Sequence, residues 1–165
     1  MPAPAHSGSF DVRRIPNGID TNRFAPVPKV EARALLGLDP ERPLVLFSAP
    51  DLSDPRKGGD LLRDALGRLD GVHFDVLVAG GGDLRLDRPA HDLGRIDDDR
   101  RLALAYSAAD VFVLPTRADN LPNAVLESAA CGTPVVSFAV GGVVDGVHHL
   151  ETGWLARPGD AAALA

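Results

Sequence analysis

The sequence contains only one cysteine, Cys131, so no disulfide bond can form within the chain and nothing indicates an oxidising compartment. It has no apolar run approaching the ~20 residues that a membrane-spanning helix needs. Residues 1–8 have neither a basic start nor an apolar centre, so they do not make a secretory signal. These absences leave a cytoplasmic location as the default expectation, with no membrane contact indicated.

An excess of positive charge is also missing, since 17 basic and 23 acidic residues give a net charge of −6. A phosphate polymer or an anionic membrane would meet net repulsion, so no nucleic acid partner is predicted. A small anionic ligand is compatible with this charge, because a local cluster of donors outweighs distant charges. The five histidines have no metal-ligand spacing, and no metal site is predicted.

Apolar runs of strand length alternate with segments whose apolar residues recur at helical spacing. Strands are predicted at 44–47, 74–79, 111–114, 134–138 and 152–156, and helices at 30–36, 61–69, 99–109 and 123–130. This alternation predicts an α/β fold of parallel strands joined by right-handed crossovers, a Rossmann-like three-layer sandwich. Residues 1–10 are expected to be flexible, and residues 11–165 to form one domain. That domain is expected to begin with an edge strand at 11–15 and to stop inside a helix capped by Asp160.

Ligands of such sheets bind at the carboxyl ends of the strands. The loops expected there are 48–58, 79–82, 94–98, 115–122 and 139–145. After the strand at 111–114, Asp119 precedes a helix with Pro122 expected in its first turn, and Glu127 lies about one and a half turns into it. Unpaired N–H groups at a helix start attract anions, and paired carboxylates can accept hydrogen bonds from sugar hydroxyls. The alternative is that Asp119 merely complements the helix dipole and that Glu127 is a solvated helix residue.

Two glycine clusters and the cysteine are further candidates for site residues. Gly80-Gly81-Gly82 does not fit the dinucleotide fingerprint, because no glycine or alanine follows at the required position before a helix. It is interpreted as a tight loop that gives a ligand room, and Gly141-Gly142 is expected to place backbone near the site. Cys131 is interpreted as a packed small residue rather than a nucleophile.

Short segments in a definite order run over most of the chain. They are Ile15-Pro16-Asn17-Gly18-Ile19-Asp20 with Phe24 and Pro26, Lys57-Gly58, Leu93-Gly94-Arg95-Ile96, Tyr106-Ser107-Ala108-Ala109-Asp110 with the strand through Pro115, Asn120 to Ser128, Ala130 to Val136, Gly141-Gly142 and Thr152-Gly153. Their order and spacing resemble the C-terminal domain of glycosyltransferase family 4, which consists of retaining enzymes of the GT-B fold. The resemblance implies a domain that binds a nucleotide-diphosphate sugar, as the substrate of sugar transfer, without a metal or other cofactor.

The resemblance also implies roles for individual residues. Glu127 matches the acidic residue that hydrogen-bonds the ribose, and Asp119 matches the one that lies against the transferred sugar, where the family usually has the longer Glu. Lys57 matches the lysine that neutralises the donor diphosphate, with Arg56 as the candidate second cation. Asp119 and Lys57 are therefore the expected catalytic residues. The other expected donor-binding residues are Gly58, Arg95, Ile96, Asn120, Leu121 and Asn123.

In GT-B enzymes an N-terminal domain binds the acceptor, and the resemblance implies that this domain is absent from the 165 residues. The chain alone is therefore expected to turn over little or nothing. Two alternatives stay open. One is half of a GT-B sugar-nucleotide 2-epimerase, although its distinguishing histidine and acid pattern is not evident and the run from Asn120 to Asn123 favours a transferase. The other is a non-catalytic nucleotide-sugar-binding module.

Overall fold

Runs of branched apolar residues form the strands of one parallel sheet in the computed structural model, which describes residue 15 and residues 17–165. The strands are β1 (Leu44–Asp51), β2 (Asp75–Gly81), β3 (His91–Asp92), β4 (Val111–Leu114), β5 (Val135–Phe138) and β6 (Gly153–Ala156). Their order in the sheet is β3-β2-β1-β4-β5-β6, and every pairing is parallel. This is the strand order of dinucleotide-binding Rossmann sheets, in which the order reverses between β1 and β4.

The helices begin and end at residues with clear local causes. They are α1 (Lys29–Leu36), α2 (Gly59–Gly67), α3 (Asp99–Ala108), α4 (Asn123–Ala130), α5 (Val143–Gly146) and α6 (Ala161–Leu164), with one 3₁₀ turn at Pro55–Lys57. Gly37 ends α1 in a left-handed conformation, and the Asp98 side chain caps α3 through the N–H of Arg100. The Asp160 side chain likewise caps α6, as its position in the sequence predicts.

Helices cover both faces of the sheet, so alternate strand residues belong to two separate cores. On one face Leu46, Leu77 and Phe112 pack with residues of α1, α3 and α4. On the other face Phe47 and Val76 pack with Leu62 of α2 and its neighbours. The predicted α/β fold, a Rossmann-like three-layer sandwich, is therefore confirmed.

Several boundaries differ from those predicted. β1 extends to Asp51 rather than 47, because Ser48 and Asp51 continue the pairing with β2 at Ala79 and Gly81. β2 accordingly includes Gly80 and Gly81, which were expected to form a loop. β3 and α5 were not predicted, since one has two exposed polar residues and the other only four residues. Of the edge strand predicted at 11–15 only residue 15 is described, and that expectation and the one for residues 1–10 lie outside the described residues.

A buried arginine joins α1 to the amino ends of β1 and β4. The Arg33 side chain is 3% exposed and donates to the carbonyls of Ala108 (2.9 Å) and Pro40 (2.6 Å) and to Oδ2 of Asp110 (2.8 Å). Asp110 also accepts from the N–H of Leu44 (2.7 Å) and from Nζ of Lys29 (2.6 Å). Burial alone would raise the pKa of the Asp110 carboxyl. The bonds from Lys29 and Leu44 and the nearby charges outweigh burial, and the pKa lies below its usual value.

Asp110→Asn is expected to lower the free energy of unfolding by about 2 kcal/mol, because Arg33 keeps its buried charge and loses its counter-charge. A carboxyl with a depressed folded-state pKa stabilises the fold above its unfolded pKa of about 3.9, and this contribution is lost as the pH falls through the folded pKa. Urea unfolding at pH 7 and at pH 3 measures both effects. Asp64→Asn is the control, since Asp64 is 58% exposed and its nearest cation is 3.9 Å away. Equal stability of the two variants at pH 7 would contradict the prediction.

Candidate functional site

Two adjoining cavities lie at the carboxyl end of the sheet, where the strand order reverses between β1 and β4. The larger has a volume of about 870 Å³ and the smaller about 510 Å³. Both are lined by Asn17, Lys57, Asp119 and Leu121, so these residues stand where the cavities meet. Loops leave neighbouring strands in opposite directions at such a reversal, which opens a crevice for a ligand.

An ion pair stands at this junction. Nζ of Lys57 donates to Oδ2 of Asp119 at 2.8 Å, and the two side chains are only 22% and 18% exposed. Because the pair is largely shielded from water, its electrostatic interaction is stronger than that of a surface pair. The two predicted catalytic residues, which are 62 positions apart in the sequence, are thus in direct contact.

Lys57 is fixed by the bonding of its 3₁₀ turn to the loop after β4. The carbonyl of Arg56 accepts from Oγ1 of Thr116 (3.0 Å) and from the N–H of Arg117 (2.8 Å). The Arg117 guanidinium then spans from the Pro55 carbonyl (2.6 Å) to both carboxylate oxygens of Asp60 (2.9 and 2.6 Å). The lysine therefore has a defined backbone position against the end of β4.

Glycines allow the loop backbones to approach closely. Gly58 has φ +75° and lies over the end of β4, where a Cβ would be 2.0 Å from the carbonyl oxygen of Pro115. Gly142 lies against the other side of the same loop, where a Cβ would be 1.5 Å from the carbonyl oxygen of Asn120. The N–H of Gly142 donates to the Asp119 carbonyl at 3.1 Å. Neither position can carry a side chain without moving the backbone that presents Asp119.

The start of α4 faces the smaller cavity. Pro122 is the N-cap rather than a first-turn residue, and it supplies no side-chain hydrogen bond to the helix. Asn123 and Ala124 follow in the first turn and line the smaller cavity. Oδ1 of Asn123 accepts from Nδ2 of Asn17 at 3.3 Å, which joins the helix start to the segment before α1. The positive end of the α4 dipole is therefore available to an anion in the cavity.

Glu127 is not a solvated helix residue, because it is half-buried and lines the smaller cavity. Its Oε2 accepts from the hydroxyl of Tyr106 at 3.0 Å. Burial raises the pKa of the Glu127 carboxyl; the Tyr106 bond lowers it and the charge of Asp99 raises it, and the net direction is upward. The helix therefore holds a carboxylate in a poorly solvated position.

The other predicted site residues are placed less uniformly. Arg56 lines the larger cavity, but its guanidinium is 75% exposed and binds Asp54 at 2.7 Å. Arg95 lines the smaller cavity and pairs with Asp97 at 2.9 Å. Ile96 lines the smaller cavity, Asn120 the larger one and Leu121 both, whereas Gly58 lines neither.

Sequence reasoning missed Ser48 and Tyr106, which both line the smaller cavity. Ser48 falls in the expected loop 48–58 but is part of β1, and Tyr106 falls in the helix predicted at 99–109 and in a segment of the family resemblance, with no role of its own. Gly80 also lines this cavity, but its lack of a side chain is required by β1, since a Cβ there would be 2.0 Å from the Ala49 carbonyl oxygen. The one available signal for Tyr106 is a buried phenol hydroxyl, which needs a polar partner.

Within residue 15 and residues 17–165, no helix has both the length and the apolar character that crossing a bilayer requires. No group of three or more His, Cys, Asp or Glu side chains in the same residues is arranged to hold a metal ion.

Glu127→Gln is expected to raise the melting temperature of the unliganded chain at pH 8, because the amide removes a buried charge and still accepts from Tyr106. A carboxyl whose folded-state pKa lies above its unfolded value of about 4.3 destabilises the fold at high pH. The gain should shrink as the pH falls through the folded pKa and vanish below about pH 4. Thermal unfolding from pH 4 to 8, with exposed Glu41→Gln as control, measures it. A variant that melts below wild type at pH 8 would be evidence against this account.

Comparison with known proteins gives the site its context. Residues 42–165 match the family of glycosyl transferases group 1. The D-inositol 3-phosphate glycosyltransferase of Mycobacteroides abscessus is 38% identical over 152 residues, which cover 84% of this chain and 34% of that protein. The chain thus spans about a third of the length of the curated relatives it matches.

Solved structures agree on the fold. Sucrose-phosphate synthase from Thermosynechococcus elongatus superposes with a TM-score of 0.82 and 35% identity, over 92% of this chain and 41% of that one. The Anabaena protein HepE in complex with UDP-glucose has a TM-score of 0.75 and 23% identity, over 90% and 44% of the two chains, and this likeness concerns the fold alone. These neighbours are GT-B glycosyltransferases, which confirms the predicted half of a GT-B fold. The chain belongs to the glycosyl transferases group 1 family.

Proposed function

We propose that this chain is the donor-binding domain of a retaining glycosyltransferase of family 4, and that it holds a nucleoside-diphosphate sugar across the two cavities. The observation that carries the proposal is the shielded Lys57–Asp119 ion pair at their junction, with Glu127 on the smaller cavity. A cation, a helix start and a half-buried carboxylate at a strand-order reversal suit a ligand that has both phosphates and hydroxyls.

The nucleoside fits the smaller cavity. Glu127 accepts hydrogen bonds from the ribose hydroxyls, which are neutral donors and therefore match an acceptor-only carboxylate. The base lies along Arg95 and Ile96, beside the backbone of Ala79 and Gly80. Support comes from the family resemblance of Glu127 and of the Gly94-Arg95-Ile96 segment, and from their shared cavity.

The diphosphate lies at the junction, where Lys57 and the start of α4 neutralise its charge, and Arg56 lies near enough to add a second cation. Without ligand, Asp119 holds Lys57. Binding therefore exchanges one anionic partner of Lys57 for another, and no cation has to be desolvated afresh. Because these groups neutralise the charge of the diphosphate, we expect binding to need no metal or other cofactor.

The transferred sugar enters the larger cavity against Asp119 and Asn120. The bond between its anomeric carbon and the phosphate oxygen breaks, and the acceptor oxygen bonds to the same face of that carbon. The acceptor proton passes to the leaving phosphate oxygen, so atoms and charges balance without a protein nucleophile. Lys57 lowers the barrier because a fixed cation stabilises the negative charge that develops on the departing diphosphate.

Acceptor binding is assigned to a separate N-terminal domain, in keeping with the length of the relatives. We expect the purified 165 residues to bind donor and to transfer no sugar above background to glucose, inositol phosphate or sugar phosphate acceptors. A radiolabelled-donor assay measures this, with hydrolysis of the donor followed in parallel. Transfer by this chain at the rate of a full-length relative would contradict the division of labour.

The two partners of the ion pair should affect binding of a free nucleoside diphosphate in opposite directions. Lys57→Ala should weaken binding about tenfold or more, because a charge-assisted bond to phosphate is lost. Asp119→Asn should strengthen it about threefold or more, because a competing anion next to Lys57 is removed. Calorimetric titration of each protein with UDP, GDP and ADP measures these changes.

The matched controls are Asp83→Asn and Arg85→Ala. These two residues form an exposed ion pair with an N–O distance of 3.5 Å, and neither residue lines either cavity. Both control variants should bind like wild type. The site assignment fails if Lys57→Ala binds as tightly as wild type, or if Asp119→Asn weakens binding of the free diphosphate. Loss of binding in Glu127→Ala but not in Lys57→Ala would indicate a nucleoside site without diphosphate recognition.

A further inference from the structure

Tyr106 is the single tyrosine of the chain and is completely buried. Its ring packs edge to face on Phe112 of β4, with centroids 5.3 Å apart and an interplanar angle of 88°. Its backbone carbonyl accepts from Oγ1 of Thr133 at 2.7 Å. The ring is therefore held by the core, and the direction of the hydroxyl is set by packing rather than by ligand contacts.

The Tyr106 hydroxyl lies where three elements meet at the smaller cavity. It donates to Oε2 of Glu127 on α4 and is hydrogen-bonded by the side chain of Ser48 on β1. Ser48 is 9% exposed, so the chain of three polar groups leads from the sheet to the cavity wall with little water around it. Bonds in such surroundings are stronger than in water and fix geometry more firmly.

A carboxylate that binds two adjacent hydroxyls must hold both oxygens in a defined plane. A glutamate side chain has three rotatable bonds and is poorly positioned unless something holds it. The Tyr106 bond occupies one position on Oε2 and leaves Oε1 and the remaining lone pair of Oε2 for a ligand. The same bond opposes the effect of burial, which otherwise favours the protonated carboxyl.

We propose that Tyr106, supported by Ser48, is a positioning residue that holds Glu127 in the orientation that binds the two ribose hydroxyls, so that the site selects ribonucleotides over 2′-deoxyribonucleotides. This inference rests on the proposed function and adds to it a specificity for the sugar of the nucleoside. Tyr106 acts through Glu127 and makes no contact with the reacting atoms.

Other charged groups around Glu127 bear on its protonation. Asp99 faces it from α3, and Cys131, the C-cap of α4, interacts with its charge. Across the smaller cavity the charged residues are Lys57, Arg95, Asp97 and Asp119. Tyr106→Phe changes none of these groups. It removes the hydroxyl whose bond lowers the pKa of Glu127, so this pKa should rise. As the pH falls, Glu127 of the variant should be protonated, and nucleotide binding lost, at a higher pH than in wild type.

The experiment compares UDP, GDP and ADP with their 2′-deoxy counterparts by calorimetric titration from pH 5 to 8. Wild type should favour the ribonucleotide about tenfold. Tyr106→Phe should lose most of that preference and shift the pH profile upward, and Ser48→Ala should change both in the same direction but less. Thr133→Val is the matched control, because it removes a buried hydroxyl that bonds only the Tyr106 backbone. It should keep the preference and the profile even where it melts earlier.

The outcomes separate the two proposals. If wild type and Glu127→Gln bind both sugars equally, Glu127 does not contact the ribose, and the proposed function fails together with this inference. If wild type discriminates, Glu127→Gln does not, and Tyr106→Phe keeps the wild-type preference and pH profile, only the role of Tyr106 is overturned. If Tyr106→Phe does not fold, an unchanged preference in Ser48→Ala overturns the inference.

Discussion

The site depends on one packing constraint, the close approach of two backbone segments to the loop after β4. The 3₁₀ turn before α2 lies on one side of this loop and the turn before α5 on the other, and glycines at the contact points bring carbonyl oxygens to distances that a Cβ would forbid. Hydrogen bonds from Thr116, Arg117 and Gly142 close these contacts. A rigid backbone frame thus brings Lys57 and Asp119, which lie far apart in the sequence, into direct contact in the crevice.

The charges in this frame suit the exchange with a ligand that we propose. The chain is acidic overall, yet its crevice holds Lys57 against Asp119 and, nearby, the positive end of α4. Glu127 is the opposite case, because it is half-buried with no cation bound to it, and its only bonded partner among the described residues is a neutral phenol. Burying it costs stability in the unliganded protein. Such a cost is characteristic of a residue kept for binding rather than for folding.

The elements that local patterns define could be predicted from the sequence, and the contacts between them could not. Val111–Leu114 and Asn123–Ala130 have the predicted bounds, because an apolar run and a helical repeat record burial directly in the chain. His91–Asp92 forms a strand only because β2 offers it a partner, which no local pattern records. Asp119 and Glu127 are candidates from their place between a buried strand and a helix start, whereas the roles of these two residues and of Lys57 come from the family resemblance. Tyr106, the partner of Glu127, and Ser48, which bonds Tyr106, were missed, since hydrogen bonds that join α3 to α4 and to β1 exist only once the fold has brought these elements together.

The short side chain of Asp119 determines where its carboxylate lies relative to Lys57. An aspartate ends roughly 1.5 Å nearer the backbone than a glutamate would, and its carboxylate lies against Nζ of Lys57, with its backbone carbonyl fixed by Gly142. A glutamate on the same backbone would need a different side-chain conformation to keep the 2.8 Å contact with Lys57. Under the proposed function, the Asp119 carboxylate and the donor diphosphate compete for the same cation, Nζ of Lys57. Under the same proposal, donor binding and release of Asp119 towards the sugar are a single event, because the bond that the diphosphate forms to Lys57 is the bond that Asp119 gives up.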